Sequence, residues 1–296
     1  MHTNNQYKFF YKETINENDY KELNNLLEIC QKASPVNVKL ELDYKLSLGK
    51  SNHKSKIKTE FFCYVEEVLV SYLGICNFGS GFNELTGLTH PDWRRQNIFK
   101  ELLHRAITEM KKENCQKVLL LSDHNSASGT AFIKSMGGAY SFSEYGMILH
   151  CQQSESKNHL VHIEKAQAGD RETIGRMEHL FFSNQSDEKN DLDEMNDSLR
   201  LDSTYLIYKG SDIIGKICVD ISGAYGFIYG FGIVNEHRGL GYGTQALQET
   251  IALLHGNGIT DIGLDVAAAN DRALHIYTNI GFVKQSVMDY YELNIS

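Results

Sequence analysis

Residues 228–254 constrain this chain more than any other stretch. An apolar run, Ile228 to Val234, is broken by Gly230 and Gly232 and gives way to a polar turn of Asn235, Glu236 and His237. Arg238, Gly239, Gly241 and Gly243 follow, and Leu247, Ile251 and Leu254 then recur at helical spacing. The order predicts a strand, a glycine-rich turn and a helix. The first turn of a helix has backbone N–H groups without helical partners and a partial positive charge, so it attracts anions. Glycines there let a phosphate approach the main chain, and Arg238 adds a charged donor. The local chemistry is that of a pyrophosphate cradle, although a glycine-rich turn with no ligand would share the pattern.

Two familiar cradles are excluded by spacing. A P-loop needs Lys-Ser/Thr directly after its last glycine, and Thr244 and Gln245 stand there instead. The dinucleotide fingerprint G-x-G-x-x-G fails because Gly239-Leu240-Gly241-Tyr242-Gly243 closes one residue early. Arg238-x-x-Gly241-x-Gly243 resembles the acyl-CoA-binding motif of the GCN5-related N-acetyltransferase (GNAT) superfamily, Arg/Gln-x-x-Gly-x-Gly/Ala. A second motif follows in the family's order. Ile262, Leu264 and Val266 alternate as in a short strand, and Asn270, Ala273, Tyr277 and the pair Gly281-Phe282 complete N-x-x-A-x-x-x-Y-x-x-x-G-F. The resemblance is strongest over residues 160–296.

The first half repeats the second at an offset of 144 residues. Arg94 matches Arg238, Asn97 matches Gly241, Phe99 matches Gly243 and Gly137 matches Gly281, with no gap. The resemblance therefore implies an α/β (α+β) fold of two tandem acyl-CoA N-acyltransferase domains, each a mixed, mostly antiparallel sheet flanked by helices. The expected boundaries are 1–150 for the first domain, 151–159 for a polar linker (CQQSESKNH) and 160–296 for the second. The first copy departs from the motif. Arg95 replaces the equivalent of Gly239, Phe99 puts a ring where phosphate needs room, Ser126 stands for Asn270 and Ile133 for Tyr277. It reads as a degenerate copy that binds CoA weakly, shapes the substrate site or simply holds its partner.

What the resemblance implies for the second copy is attack of a primary amine on the thioester of acetyl-CoA. The diphosphate would rest on the Arg238, Gly239, Gly241, Tyr242, Gly243 and Thr244 turn. The backbone of Ile233 and Val234 would bind the pantetheine arm like an added strand, with a bulge at Gly230 and Gly232 opening the sheet. Asn270 would contact the arm, and Tyr277 would protonate the leaving thiolate, since a phenol stays protonated at neutral pH. Ala224 to Val234 has no carboxylate to act as base; Asp220 and Asp265 are the nearby alternatives. A CoA-binding regulatory protein that lost turnover is the competing reading.

Composition narrows the partners. The chain has 296 residues and a net charge of −9. Residues 1–150 are near neutral, while 151–296 carry 11 Lys+Arg against 21 Asp+Glu. An acidic half disfavours nucleic acid and favours approach of a cationic substrate; a second copy beside the active one would narrow the cleft, so a small-molecule amine rather than a protein tail is the expected acceptor. An acidic stretch, Ser186 to Arg200, would border that acceptor or be plain solvated loop. No apolar run reaches membrane-span length, and the N-terminus lacks a signal-peptide core. The six cysteines form no C-x-x-C and suggest neither disulfides nor a metal; a cytoplasmic enzyme without metal is expected.

Overall fold

The computed structural model describes residues 7–50, 57–78, 82–150, 160–182 and 200–296. The expected linker 151–159 and the acidic stretch up to residue 199 lie outside them. The chain forms two compact units. Among the described residues, one takes in 7–78, 82–143 and 287–296, and the other 144–150, 160–182 and 200–286.

In the first unit the elements are β1 (Lys8–Lys12), α1 (Glu17–Ala33), α2 (Leu42–Lys50), β2 (Glu60–Val65), β3 (Val68–Asn77), β4 (Asn83–Thr89), α3 (Ile98–Lys112), β5 (Lys117–Asp123) and α4 (Ala127–Ser135). Asn16 starts α1 through a reciprocal capping box with Asp19. Ile98, Leu102, Ala106 and Met110, the apolar stripe of α3, are all buried against the sheet with Phe61, Leu73 and Leu120. Strands β1 to β4 pair antiparallel in chain order. β4 pairs parallel to β5 only over Asn83–Leu85 and Val118–Leu120, and the two strands then part.

The second unit repeats this plan with β7 (His162–Lys165), α5 (Arg171–Phe182), β8 (Thr204–Lys209), β9 (Asp212–Ser222), β10 (Tyr225–Ile233), α6 (Tyr242–Gly256), β11 (Asp261–Ala267) and α7 (Asp271–Ile280). α6 buries Ala246, Leu247, Ile251 and Leu254 in a core shared with Ile262, Leu264 and Tyr277. Asn270 caps α7, its side chain accepting the Ala273 N–H, and Gly281 ends the helix at φ 114°, which favours glycine. The parallel ladder of β10 with β11 runs from Tyr225/Asp261 to Ile228/Leu264 and stops there.

Each unit is closed by a strand that the sequence does not announce. The last strand of the chain, β12 (Val283–Asn294), pairs with β5 from Met288 to Asn294 and completes the first sheet. The strand after α4, β6 (Ala139–His150), pairs with β11 from Glu144 to His150 and completes the second. Neither compact unit is therefore one continuous stretch of chain. Among the described residues, no helix is long and apolar enough to cross a membrane.

Candidate active site

The site is built at the end of β10. The register of β10 on β9 shifts between Tyr229 and Gly232, and Gly230 sits at φ 55°. This is the bulge that the two glycines suggested, and it falls where the β10–β11 ladder has ended. The consequence is an open strand edge. Val234 N–H donates to Ile214 O on the β9 side. Hydrogen-bonding direction alternates along an antiparallel strand, so the N–H and C=O of Ile233 face away from β9, toward the gap.

Ile233 and Val234 present unequal backbone groups to an added strand. The Val234 N–H is held by Ile214, while its carbonyl accepts the His237 N–H and keeps a second lone pair. Ile233 keeps its N–H toward the gap, while its carbonyl accepts Arg238 Nε at 2.6 Å. Arg238 thus ties the turn to the strand, and its guanidinium carbon lies 5.9 Å from the Phe181 ring.

The turn itself has the expected form. Gly239 and Gly241 stand at φ 77° and 81°, and Gly241 is the N-cap of α6 with no side-chain capping bond. Hydrogen bonding within this segment resumes only at Gln245, whose N–H donates to Gly241 O. The N–H groups from Gly239 to Thr244 therefore have no partner among the described residues. At Gly239 nothing lies within 4 Å of an added Cβ, whereas one at Gly243 would be in ordinary contact with Phe231 Cζ at 3.6 Å and Ile233 Cγ1 at 3.7 Å. A run of unpartnered amides at a helix start fits a diphosphate. Tyr242 contributes only its N–H, since its ring is buried in the core. Asn270 Oδ1 is spent on Ala273 N at 3.2 Å, leaving its amide NH2 as the group free to meet a ligand.

Tyr277 is 8% exposed and packs edge-on against Phe282 at 5.9 Å. Burial pushes its pKa up to about 12, which keeps it a phenol across the neutral range. The folded state then holds this proton more tightly than the unfolded chain between pH 10 and 12. Its contribution to stability is complete below pH 10 and is lost as pH rises toward 12. Tyr277→Phe has no such loss. Between pH 9.5 and 11.5, urea unfolding should show the unaltered chain losing about 2 kcal/mol more than the variant.

The first unit keeps the frame of this site and alters its surface. Arg94 Nε donates to Thr89 O at 3.1 Å, as Arg238 does to Ile233. Arg95 and Asn97 take φ 63° and 61°, the left-handed values of Gly239 and Gly241, although neither is glycine. β4 shows no register shift on β3, so no bulge opens it. Most informative is a pairwise exchange. In the first unit the strand carries Gly87 and the helix Phe99, whose ring lies 2.7 Å from where a Cβ on Gly87 would be. In the second, the strand carries Phe231 and the helix Gly243. The same volume is filled from opposite sides. A cavity of about 100 Å3 remains in the first unit, lined by Thr86, Gly87, Phe99, Ser122 and Phe132 among others.

One part of the site has no motif to reveal it. Lys216 of β9 is fully buried, with Nζ 2.6 Å from Glu178 Oε1 of α5 and 3.0 Å from the bulge carbonyl of Gly230. The only hint is a lysine inside the apolar run Ile213 to Ile221. Asp220 accepts Arg200 NH1 at 2.8 Å and lies 3.4 Å from the Tyr229 hydroxyl. His275 lies on α7 and makes only a surface contact to Asn279. Among the described residues no group of His, Cys, Asp and Glu could hold a metal ion.

In both units the strand before the motif helix parts from its parallel neighbour, and in the second unit the helix start that follows carries unpartnered amides. The sequence profile of the acetyltransferase (GNAT) family matches residues 23–137 and again 172–282. The chain belongs to that family, in tandem form. Solved structures agree in fold. A GCN5-related N-acetyltransferase from Sphaerobacter thermophilus has a TM-score of 0.76 at 16% identity, with 97% of this chain and 96% of that one covered. A tandem GNAT protein from the clavulanic acid biosynthesis pathway has a TM-score of 0.69 at 13% identity, covering 98% and 99%. A glucosamine N-acetyltransferase region of a fungal multi-domain β-N-acetylglucosaminidase has a TM-score of 0.71 at 12% identity, covering 97% of this chain and 38% of that one. No curated protein sequence matches the chain.

Proposed function

We propose that the second unit transfers an acetyl group from acetyl-CoA to a primary amine of a small molecule, and that the first unit serves as its scaffold. The observation that carries this reading is the unpartnered row of amides from Gly239 to Thr244 beside the open edge of β10. The diphosphate is held by those amides and by Arg238. The Ile233 N–H donates to a pantetheine carbonyl, and Asn270 donates to the same arm. Amides at the bulge of β10 face the thioester carbonyl and stabilise the charge that develops on its oxygen. Tyr277, kept protonated by burial, hands its proton to sulfur as the C–S bond breaks.

A cationic acceptor is favoured by the acidic balance of residues 151–296, and a soluble, cytoplasmic setting goes with that reading. Calorimetric titration with acetyl-CoA and an assay of thiol release with benzylamine, spermidine and glucosamine test it. One bound acetyl-CoA per chain and amine-dependent thiol release are expected. Acetyl-CoA binding without release by any amine would leave a CoA-binding regulator instead.

A further inference from the structure

The proposed reaction needs a group that takes a proton from the acceptor, because an alkylammonium has no lone pair with which to attack. β10 offers no carboxylate. We infer that Glu178 of α5 is that group, and that the acceptor is bound as its alkylammonium; this rests on the reading of the second unit given above.

Three observations place Glu178 at the reacting end of the site. First, α5 packs on the bulge itself. Phe181, one turn after Glu178 on the same helix face, lies directly against Gly232, leaving no room there for a side chain. Second, Glu178 is anchored there by Lys216, whose ammonium also holds the carbonyl of Gly230. A fully buried lysine is costly unless paired, and this one is placed to fix the carboxylate and the bulge relative to each other. Third, the pairing uses one carboxylate oxygen. Glu178 has no other partner among the described residues, and its side chain keeps 29% exposure. The second oxygen is available to an incoming ammonium.

The alternatives are worse placed. Asp220 lies opposite Phe227, before the bulge, and its oxygens face Arg200 and Tyr229. Asp265 belongs to β11, opposite Gly146 in the ladder with β6. The other titratable groups around the pair are Cys218, 3.6 Å from Lys216 Nζ, Tyr229 opposite it on β10, and Arg238 across the Phe181 ring. Burial raises the pKa of both Cys218 and Tyr229, so each stays neutral near pH 7.

The step balances as follows. The ammonium gives one proton to the free oxygen of Glu178, and the nitrogen lone pair forms the C–N bond to the thioester carbon. The C–S bond breaks and sulfur takes the Tyr277 proton. The surplus proton on nitrogen leaves to solvent, from which the tyrosinate is reprotonated, and Glu178 releases its own proton to solvent. The products are amide, thiol and one net proton.

The test compares the unaltered chain with Glu178→Gln, which still accepts a hydrogen bond from Lys216. Thiol release is measured from pH 6.5 to 9 with benzylamine and with spermidine. At pH 7 the variant should show a kcat/KM about 100-fold lower. The deficit should shrink about tenfold per pH unit as solvent supplies the free amine. Acetyl-CoA affinity should stay within about twofold. Glu178→Asp, which keeps the carboxylate, should recover most of the rate at pH 7. Equal rates at pH 7, or a deficit that does not change with pH, would overturn the assignment while leaving the acetyltransferase reading intact. If the unaltered chain binds acetyl-CoA but releases no thiol with either amine, both fall together.

Discussion

Transplanting the first unit's residue pair into the second, Phe231→Gly with Gly243→Phe, is expected to leave the fold intact and to abolish acetyl-CoA binding. A Cβ added at Gly243 would lie 3.6 Å from the tip of the Phe231 ring, and the first unit already shows the reversed pair packed, with the Phe99 ring against Gly87 and 5.2 Å from Phe132. Total volume is conserved, so the thermal midpoint should move little. The ring, however, then starts on the first turn of α6, beside the amides of Gly239 to Thr244. A large side chain at that turn keeps phosphate from the N–H groups that would bind it. Acetyl-CoA affinity should fall by at least about 100-fold, roughly 3 kcal/mol, in calorimetric titration. Asn97→Trp, at the equivalent helix start of the first unit, should leave the affinity unchanged. The opposite pattern would move the working site into the first unit.

Tyr277→Phe is the second large effect. The substitution removes one oxygen, keeps the ring against Phe282, and leaves no buried partner unsatisfied, because no hydrogen bond to the hydroxyl is present among the described residues. Acetyl-CoA should bind as before. Turnover should fall by about 10²–10⁴-fold, the usual worth of a positioned general acid. The split between affinity and rate is the diagnostic feature, since a merely structural tyrosine would change both or neither. Unchanged turnover would return Tyr277 to the core.

The two predictions rest on parts of the site that the primary structure displays unequally. The glycine turn was visible because positive φ values at 239 and 241 favour glycine, and the bulge because Gly230 and Gly232 interrupt an otherwise apolar strand. Asn270 and Tyr277 were visible by their spacing. Which of Ile233 and Val234 turns its N–H toward the gap is not legible in the sequence, because hydrogen-bonding direction in a strand depends on which neighbour it pairs with, and that is set by the register on β9. Glu178 and Lys216 were missed because they lie on different elements, 38 positions apart by number, and meet only when α5 folds over the bulge. In the first unit Arg95 and Asn97 hid a conserved backbone path behind residues that seldom adopt it.

The amino-acid order alone determined that the chain is a duplication, which half carries the unsubstituted glycine turn, and where most of its strands, turns and helices alternate. These follow from local signals: hydrophobic period, glycine at left-handed positions, and a constant offset between copies. Which strand closes which sheet was decided only in three dimensions. β5 and β11 are equivalent positions in the repeat, as are β6 and β12, yet β12 pairs with β5 and β6 with β11. A sheet edge selects its neighbour through main-chain N–H and C=O groups, which nearly every residue supplies alike. Side chains of the closing strands then match the unit they join: Glu292 pairs with Lys117 and His150 with Asp261, while Tyr291 and Met147 enter the two cores, and these pairings exist only once the chain has folded.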